Sequence, residues 1–302
     1  MDMVAERSSS WKHYLHPSAW PFWTAHIGIA VGFLFLDFSW SGLAFAMALY
    51  YVRMFFVTGV YHRYFSHRAY KTSRWFQFTI AALGGMSVQK GALWWAGHHR
   101  HHHKFSDMPE DLHSPRQQGT LWAHVGWIVS RDHNGTRYDL IRDFAKYPEL
   151  VWLNKYHFVP VLVYAGLLQA TLGFWGFFWG FVVSTVLLWH GTFTINSLSH
   201  VFGNRRYETT DDSRNNWFLA LLTMGEGWHN NHHHYQSTAN QGFYWWEIDL
   251  SYYILCALAR VGLVWDLRKP PQRVLEEGLI KPKQVREADS VEVAGVASDA
   301  VS

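Results

Sequence analysis

Three histidine clusters, each set beside a long apolar stretch, constrain this chain more than any other feature. They are His62 and His67; His98-His99-Arg100-His101-His102-His103; and His229-Asn230-Asn231-His232-His233-His234. Neutral imidazole is the commonest biological metal ligand. The second and third clusters each hold histidines at i, i+3 and i+4 (His99, His102 and His103; His229, His232 and His233), which puts three rings on one side of a helical turn. His62 and His67 are five apart, so they cannot share a face of one regular α-helix. Twenty histidines in 302 residues could make a buffering surface, but the repeated spacing argues for ligands. Eight imidazoles exceed what one metal uses, so the pattern points to two.

The apolar stretches point to a membrane. Charged residues are 16% and aromatics 18% of the chain, against a usual charged share of about a quarter, and Trp and Tyr gather where lipid meets water. One apolar hairpin runs from about Trp20 to Val60 around Asp37–Gly42, and a second from about Phe158 to Asn196 around Gly173–Gly176. Each arm is long enough, or nearly so, to cross a hydrocarbon core of about 30 Å as a helix. The pattern predicts an all-α integral membrane protein with four transmembrane helices at about 20–38, 42–61, 158–173 and 175–196. An N-terminal arm (1–19) precedes one domain (20–282), and a small, polar, disordered tail (283–302) follows it. Neither hairpin turn carries Lys or Arg, so both termini and all three histidine clusters fall on the cytoplasmic side as a helical cap.

Between the hairpins, 74–97 reads as an interfacial or partly inserted helix, and 253–267 as a surface one. Arg53, inside the second span, reads as a side chain snorkelling to the interface. His26 and His190 are further ionisable groups within spans. The single cysteine, Cys256, excludes an intrachain disulfide and a cysteine-based metal site, and reads as a buried small residue. With a net charge of +3 and no Lys/Arg run, nucleic acid is not an expected partner.

The clusters carry a resemblance. His62-Arg63-Tyr64-Phe65-Ser66-His67, His99-Arg100-His101-His102-His103 and Glu226-Gly227-Trp228-His229-Asn230-Asn231-His232-His233 resemble the three histidine boxes of membrane fatty-acyl desaturases, closest to the delta-9, stearoyl-CoA-desaturase-like branch and its bacterial members. Asn196-Ser197-Leu198-Ser199-His200-Val201-Phe202-Gly203 is similar to a fourth element of that branch. The resemblance implies two iron ions held by His62, His67, His99, His102, His103, His200, His229, His232 and His233, with Asn196 acting through a water. It implies O2-dependent insertion of a cis double bond, near carbon nine, into a saturated acyl chain carried on CoA, lipid or carrier protein.

The pattern makes the bilayer itself an expected partner, and the resemblance implies a multi-pass protein of a bacterial inner membrane. Gln89, Trp94, Trp95, Trp189 and Thr192 are the expected wall of an acyl tunnel. Asp107, Glu110, Asp111 and His113 are candidates to orient ligating rings, while His98, His101 and His234 fall outside the ligand positions, at the surface or behind the ligands. The chain has no flavin, nicotinamide or haem motif, so a separate ferredoxin or cytochrome b5 is implied as electron donor. Its docking cations are sought among Arg63, Arg68, Arg74, Lys104, Arg205 and Arg206. A fatty-acyl or hydrocarbon hydroxylase on the same scaffold, or a non-catalytic metal- or lipid-binding membrane protein, remain alternatives.

Overall fold

The computed structural model describes residues 14–280; the tail expected from 283 lies outside them. The described chain is predominantly helical, with one two-stranded ribbon. Helix α1 is Trp20–Gly32. At 13 residues it is about 20 Å long, shorter than the 20–38 span expected. Helix α2, Trp40–Phe55, starts where the Ser39 hydroxyl accepts the Gly42 amide proton (3.1 Å), capping an otherwise orphaned donor. It runs on without a break as a π-helix, Phe56–Ser66. Together, Trp40–Ser66 form one of two helical stretches among the described residues that are long and apolar enough to cross a membrane.

The other stretch is Phe158–Ser197, comprising α6 (Phe158–Gly176), a π-helical segment (Phe177–Val183) and α7 (Ser184–Ser197). It does not run straight. Gly173 has φ 62° and ψ −159°, a conformation in which a β-carbon would be strained. Tyr164 donates its hydroxyl proton to the Gly180 carbonyl at 2.7 Å. In a continuous helix residues 16 apart lie about 24 Å apart, so the chain folds back at Gly173, as the sequence predicts. Small residues let α2 sit against this hairpin: a β-carbon on Gly42 would meet the Trp179 ring, and one on Gly191 the Tyr50 hydroxyl.

The segment 74–97 is two helices rather than one. α3 (Arg74–Gly85) and α4, Ala92–Phe105, are separated by a loop in which Val88 and Lys90 have φ of 57° and 61°. A peripheral helix α5 (Pro148–Lys155) precedes the second apolar stretch. The third histidine cluster forms α8 (His229–His234), and 253–267 becomes the end of α9 (Leu250–Arg260) followed by β2 (Val264–Trp265). β2 pairs antiparallel with β1 (Lys71–Thr72), in register Lys71 with Trp265, tying the C-terminal region to the chain just after His67.

Several side chains sit elsewhere than the sequence suggests. Arg53 does not snorkel: it is buried, donating to Thr185 Oγ1 (2.8 Å), Ser184 Oγ (2.5 Å) and the Met86 carbonyl (3.2 Å), with its guanidinium over the Tyr164 ring. Two hydroxyls of α7 and the carbonyl of Met86 thus replace the water that snorkelling would have sought. Arg63 is fully buried in an ion-paired network and is unreachable for a docking protein. Cys256 is only partly buried, at the edge of the main core.

Candidate metal site

The first cluster is assembled by the π-helix. Its i→i+5 bonding, seen in the His67 amide donating to the His62 carbonyl (3.2 Å), brings residues five apart onto one side. The two imidazoles lie 4.8 Å apart, centre to centre. This answers the conflict that a regular helix would pose. The π-helical geometry is buttressed by Tyr70, whose hydroxyl donates to the Gly59 carbonyl at 2.9 Å, and by Ser66, which donates to the Tyr61 carbonyl at 2.9 Å.

All nine histidines converge, in two groups. The ring nitrogens of His62, His67, His99, His103 and His232 lie within 4.8 Å of one another, as do those of His102, His200, His229 and His233. The two box helices divide their ligands in opposite ways. α4 gives its i, i+4 pair, His99 and His103, to the first group and His102 to the second. α8 gives its i, i+4 pair, His229 and His233, to the second group and His232 to the first. Adjacent residues on a helix point about 100° apart, so one turn serves two centres.

The inner nitrogens meet edge to edge. His62 Nε2 is 3.0 Å from His232 Nε2, His67 Nε2 is 2.9 Å from His99 Nε2, and His232 Nε2 is 2.9 Å from His103 Nε2. His200 Nε2 is 3.1 Å from His229 Nε2. A neutral imidazole has one donor and one acceptor nitrogen, so five rings converging on one point cannot all satisfy each other. Metal–nitrogen bonds of about 2.1 Å in six-coordinate geometry place neighbouring nitrogens about 3.0 Å apart. The donor set therefore fits a metal ion in each group. Burial, reinforced by the neighbouring rings, pushes His67, His99, His103, His229 and His232 well below the usual histidine pKa, leaving lone pairs available.

The outer nitrogens are held by buried acids. His62 Nδ1 lies 2.5 Å from Glu226, His102 Nδ1 3.0 Å from Asp111, His200 Nδ1 2.8 Å from Asp107 and His233 Nδ1 2.5 Å from Asp211. Such partners fix the tautomer and aim the inner nitrogen. Burial raises the pKa of Asp107, Asp111 and Asp211, but their histidine partners outweigh it and hold all three below the usual carboxylate range. Burial disfavours His102 as a cation too, yet Asp111 outweighs it and raises its pKa. Gln241 Nε2 reaches His62 Nδ1 and His232 Nδ1 at 3.3 and 3.4 Å.

Of the expected orienting residues, Asp107 and Asp111 make these contacts, and His113 stacks on His102 at 4.3 Å. Glu110 contributes only its carbonyl, to His101 Nε2 (2.9 Å). Asp211, Glu226 and Gln241 escape a sequence reading: Asp211 and Gln241 lie outside every motif, and Glu226 sits inside the third box without a role that spacing reveals. His98, His101 and His234 join neither group. His98 and His101 are buried rather than at the surface, His98 on the Trp94 carbonyl (2.9 Å), and His234 stacks on Tyr207 at 4.0 Å.

Three cavities share walls in a row leading to the histidines. The outermost, about 700 Å³, is lined by Gln89, Lys90, Trp94, Trp189 and Phe193 among others. Next is a space of about 30 Å³ between Gln89, Trp94, Trp95, His99, Thr192 and Asn196. The innermost, about 40 Å³, touches His62, His99, His102, His229 and Asn196 and ends on Met54, Val57 and Thr58. At the neck, Trp95 Nε1 donates to Gln89 Oε1 (3.2 Å) and Gln89 Nε2 donates to Thr192 Oγ1 (2.9 Å). Gln89, Trp95 and Thr192 thus form one hydrogen-bonded constriction, with Trp189 outside it. Trp189 also donates its indole proton to the Val88 carbonyl (2.9 Å), bracing the strained loop.

The fold and site together define a helical protein with a buried, acid-supported polyhistidine centre beside a row of cavities. The fatty acid desaturase family model matches residues 38–262, and the chain belongs to that family. It is 36% identical over 248 residues to an sn-1 stearoyl-lipid 9-desaturase of Anabaena variabilis, covering 80% of this chain and 90% of that one. It is 37% identical over 245 residues to an sn-2 palmitoyl-lipid 9-desaturase of Nostoc sp. (strain 36), covering 78% and 85%. An acyl-CoA 5-desaturase of Anemone leveillei is 36% identical over 239 residues, covering 78% and 74%. Family membership makes the chain a fatty-acyl desaturase, an oxidoreductase of lipid metabolism.

Proposed function

We propose that this chain inserts a cis double bond at carbon nine of a saturated acyl chain, using two iron ions and O2. One iron is held by His62, His67, His99, His103 and His232, and the other by His102, His200, His229 and His233, with Asn196 reaching the second through a water. The observation that carries this reading is the convergence of nine ring nitrogens into two groups, each spaced as a metal's ligands are. Iron bound there supplies an O2-derived oxidant strong enough to take hydrogen from an unactivated methylene.

The residues do the rest. Glu226, Asp111, Asp107 and Asp211 keep four rings aimed inward. Trp95, Gln89 and Thr192 narrow the passage, so an acyl chain threaded through it bends beside the ligands. Met54 and Val57 end the passage in apolar surface and exclude water. Positional selectivity comes from depth of insertion, since nothing along an alkyl chain offers a polar handle.

The exposed apolar side chains of the outer helices, among them Ile27, Val31, Trp40, Leu162 and Leu167, support a lipid-embedded body. The fold-back at Gly173 supports counting the second stretch as two spans. With α1 and α2 this makes four, the histidine sites lying on the cytoplasmic face. α1 spans only if its turn residues to Asp37 contribute. Electrons arrive from a separate ferredoxin or cytochrome b5; exposed Lys104 is the docking cation best placed for it, whereas Arg68 is engaged with Asp143, Arg74 with Glu149 and Arg206 with Glu247. Expression in a host lacking its own desaturase, followed by mass-spectrometric location of double bonds, tests the reading. A new cis-9 monoene that disappears in His102→Ala supports it, and a hydroxy acid instead of an alkene refutes it.

A further inference from the structure

We propose that Arg53 is a positioning residue for the reaction: it holds the strained turn Val88-Gln89-Lys90 in the conformation that puts Gln89 at the neck, and so fixes where along the acyl chain the double bond forms. This rests on the desaturase reading and names what sets its positional selectivity. Val88 and Lys90 have φ of 57° and 61°. Both lie in the left-handed region that disfavours side chains, and for a β-branched residue such as Val88 this is a genuine outlier. Such conformations persist only where the surroundings over-determine them, and they gather at functional sites. Between the two stands Gln89, whose side chain bonds Thr192 and Trp95. A left-handed residue on each side bends the backbone twice around that side chain.

The turn is over-determined by side chains of α2, the π-helix that follows it and α7. Loops normally lie on the surface, where water satisfies their carbonyls; here Ser87 and Gln89 are both buried. Arg53 Nη1 donates to the Met86 carbonyl (3.2 Å), Trp189 Nε1 to the Val88 carbonyl (2.9 Å) and the Tyr61 hydroxyl to the Lys90 carbonyl (3.3 Å). Alternate carbonyls of the loop are thus each held from outside. The Arg53 grip is the charged one, hence the strongest of the three, and it is reciprocal: Ser87 Oγ donates to the Arg53 carbonyl at 3.2 Å. Arg53 is itself fixed by Ser184 and Thr185, and among the described residues its guanidinium bonds only carbonyls and hydroxyls. A buried cation without a counter-ion is costly, and an ionisable group inside a span is a functional hypothesis by default. Holding the strained turn is the use its contacts show.

The test is suppression by glycine. In Arg53→Met the Met86 carbonyl loses its donor and Val88 relaxes out of the left-handed region, so backbone amides of 86–91 should exchange hydrogen about tenfold faster or more. Iron-loaded protein should then give a mixture of double-bond positions, with minor isomers at about a tenth of the product or more, where wild type gives one. Glycine adopts a φ near 60° freely. Val88→Gly added to Arg53→Met should therefore restore slow exchange and a single product, to the levels of Val88→Gly alone, although it returns nothing to the surroundings of Arg53. An arginine that served only to pack α2 against α7 would not be rescued by a glycine in this loop. A single unchanged product in Arg53→Met, or faults that Val88→Gly does not suppress, overturns the proposal. Should Arg53→Met not fold, Ser87→Ala removes the reciprocal bond alone and is read by the same two measurements. Exchange that depends on Arg53 and is restored by Val88→Gly, in protein that oxidises no acyl chain, upholds the brace on the turn and sinks the desaturase reading alone.

Discussion

Replacing Arg63 by Met should cost this protein most of its stability without touching a metal ligand. The Arg63 guanidinium is wholly buried and donates to Glu226 Oε1 from Nε (3.2 Å) and Nη2 (3.0 Å), to both Asp249 oxygens from Nη1 (2.9 and 2.8 Å), and to the Ala239 carbonyl (2.8 Å). Methionine fills similar space but leaves two buried carboxylates without their counter-ion. Breaking a buried pair by removing one partner costs about 3–5 kcal/mol. At about 2–4 °C per kcal/mol for a chain of this size, the melting temperature should fall by roughly 10 °C. Thermal unfolding of the solubilised, iron-loaded protein, followed by near-ultraviolet circular dichroism, reads this directly. The cost arises from charge rather than shape, so Arg63→Met combined with Glu226→Gln and Asp249→Asn should recover more than half of the lost stability. A single variant as stable as wild type, or a triple variant no better than the single, refutes the reasoning. The variant should also bind iron more weakly, because Glu226 shares its carboxylate between Arg63 and His62.

Other perturbations separate the parts of the site. Asp211→Asn removes the acid behind His233 and should weaken metal affinity by about 10–100-fold, measured by competition with a chromophoric chelator; an unchanged affinity would mean that Asp211 does not aim the ring. Gln89→Leu leaves Thr192 and Trp95 without their bond, and should lower kcat/KM by about tenfold and scatter the double-bond position, seen by mass spectrometry of the products; a single cis-9 product at full rate would remove the neck from the account.

How much of this was written in the sequence depends on the range of the interaction. The i, i+3, i+4 spacing of His99, His102 and His103 and of His229, His232 and His233 is local, and by itself it marks ligating helices. The same holds for Gly173, whose turn follows from its own backbone freedom. The His62–His67 pair resisted, because five-residue spacing makes sense only on a π-helix, and a π-helix is stabilised by bonds such as Tyr70 to Gly59 that the local pattern does not show. Asp211 and Glu226 resisted for another reason: their histidine partners are chosen by tertiary packing, 22 residues away for His233 and 164 for His62.

 Arg53, inside an apolar stretch, and Arg63, read as a docking cation, misled a sequence reading because a cation is expected to seek water, and only the folded chain shows the hydroxyls of Ser184 and Thr185, or the carboxylates of Glu226 and Asp249, that take water's place.

The claim on which everything else rests is that nine histidines hold two irons. Iron content per chain, measured by inductively coupled plasma mass spectrometry on purified protein of known concentration and paired with Mössbauer spectroscopy of ⁵⁷Fe-loaded samples, tests it most directly. The account predicts about two irons per chain, in two nitrogen-rich environments of different ligand number, five histidines in one and four in the other. One iron per chain, or a single tetrahedral zinc in active protein, would contradict it.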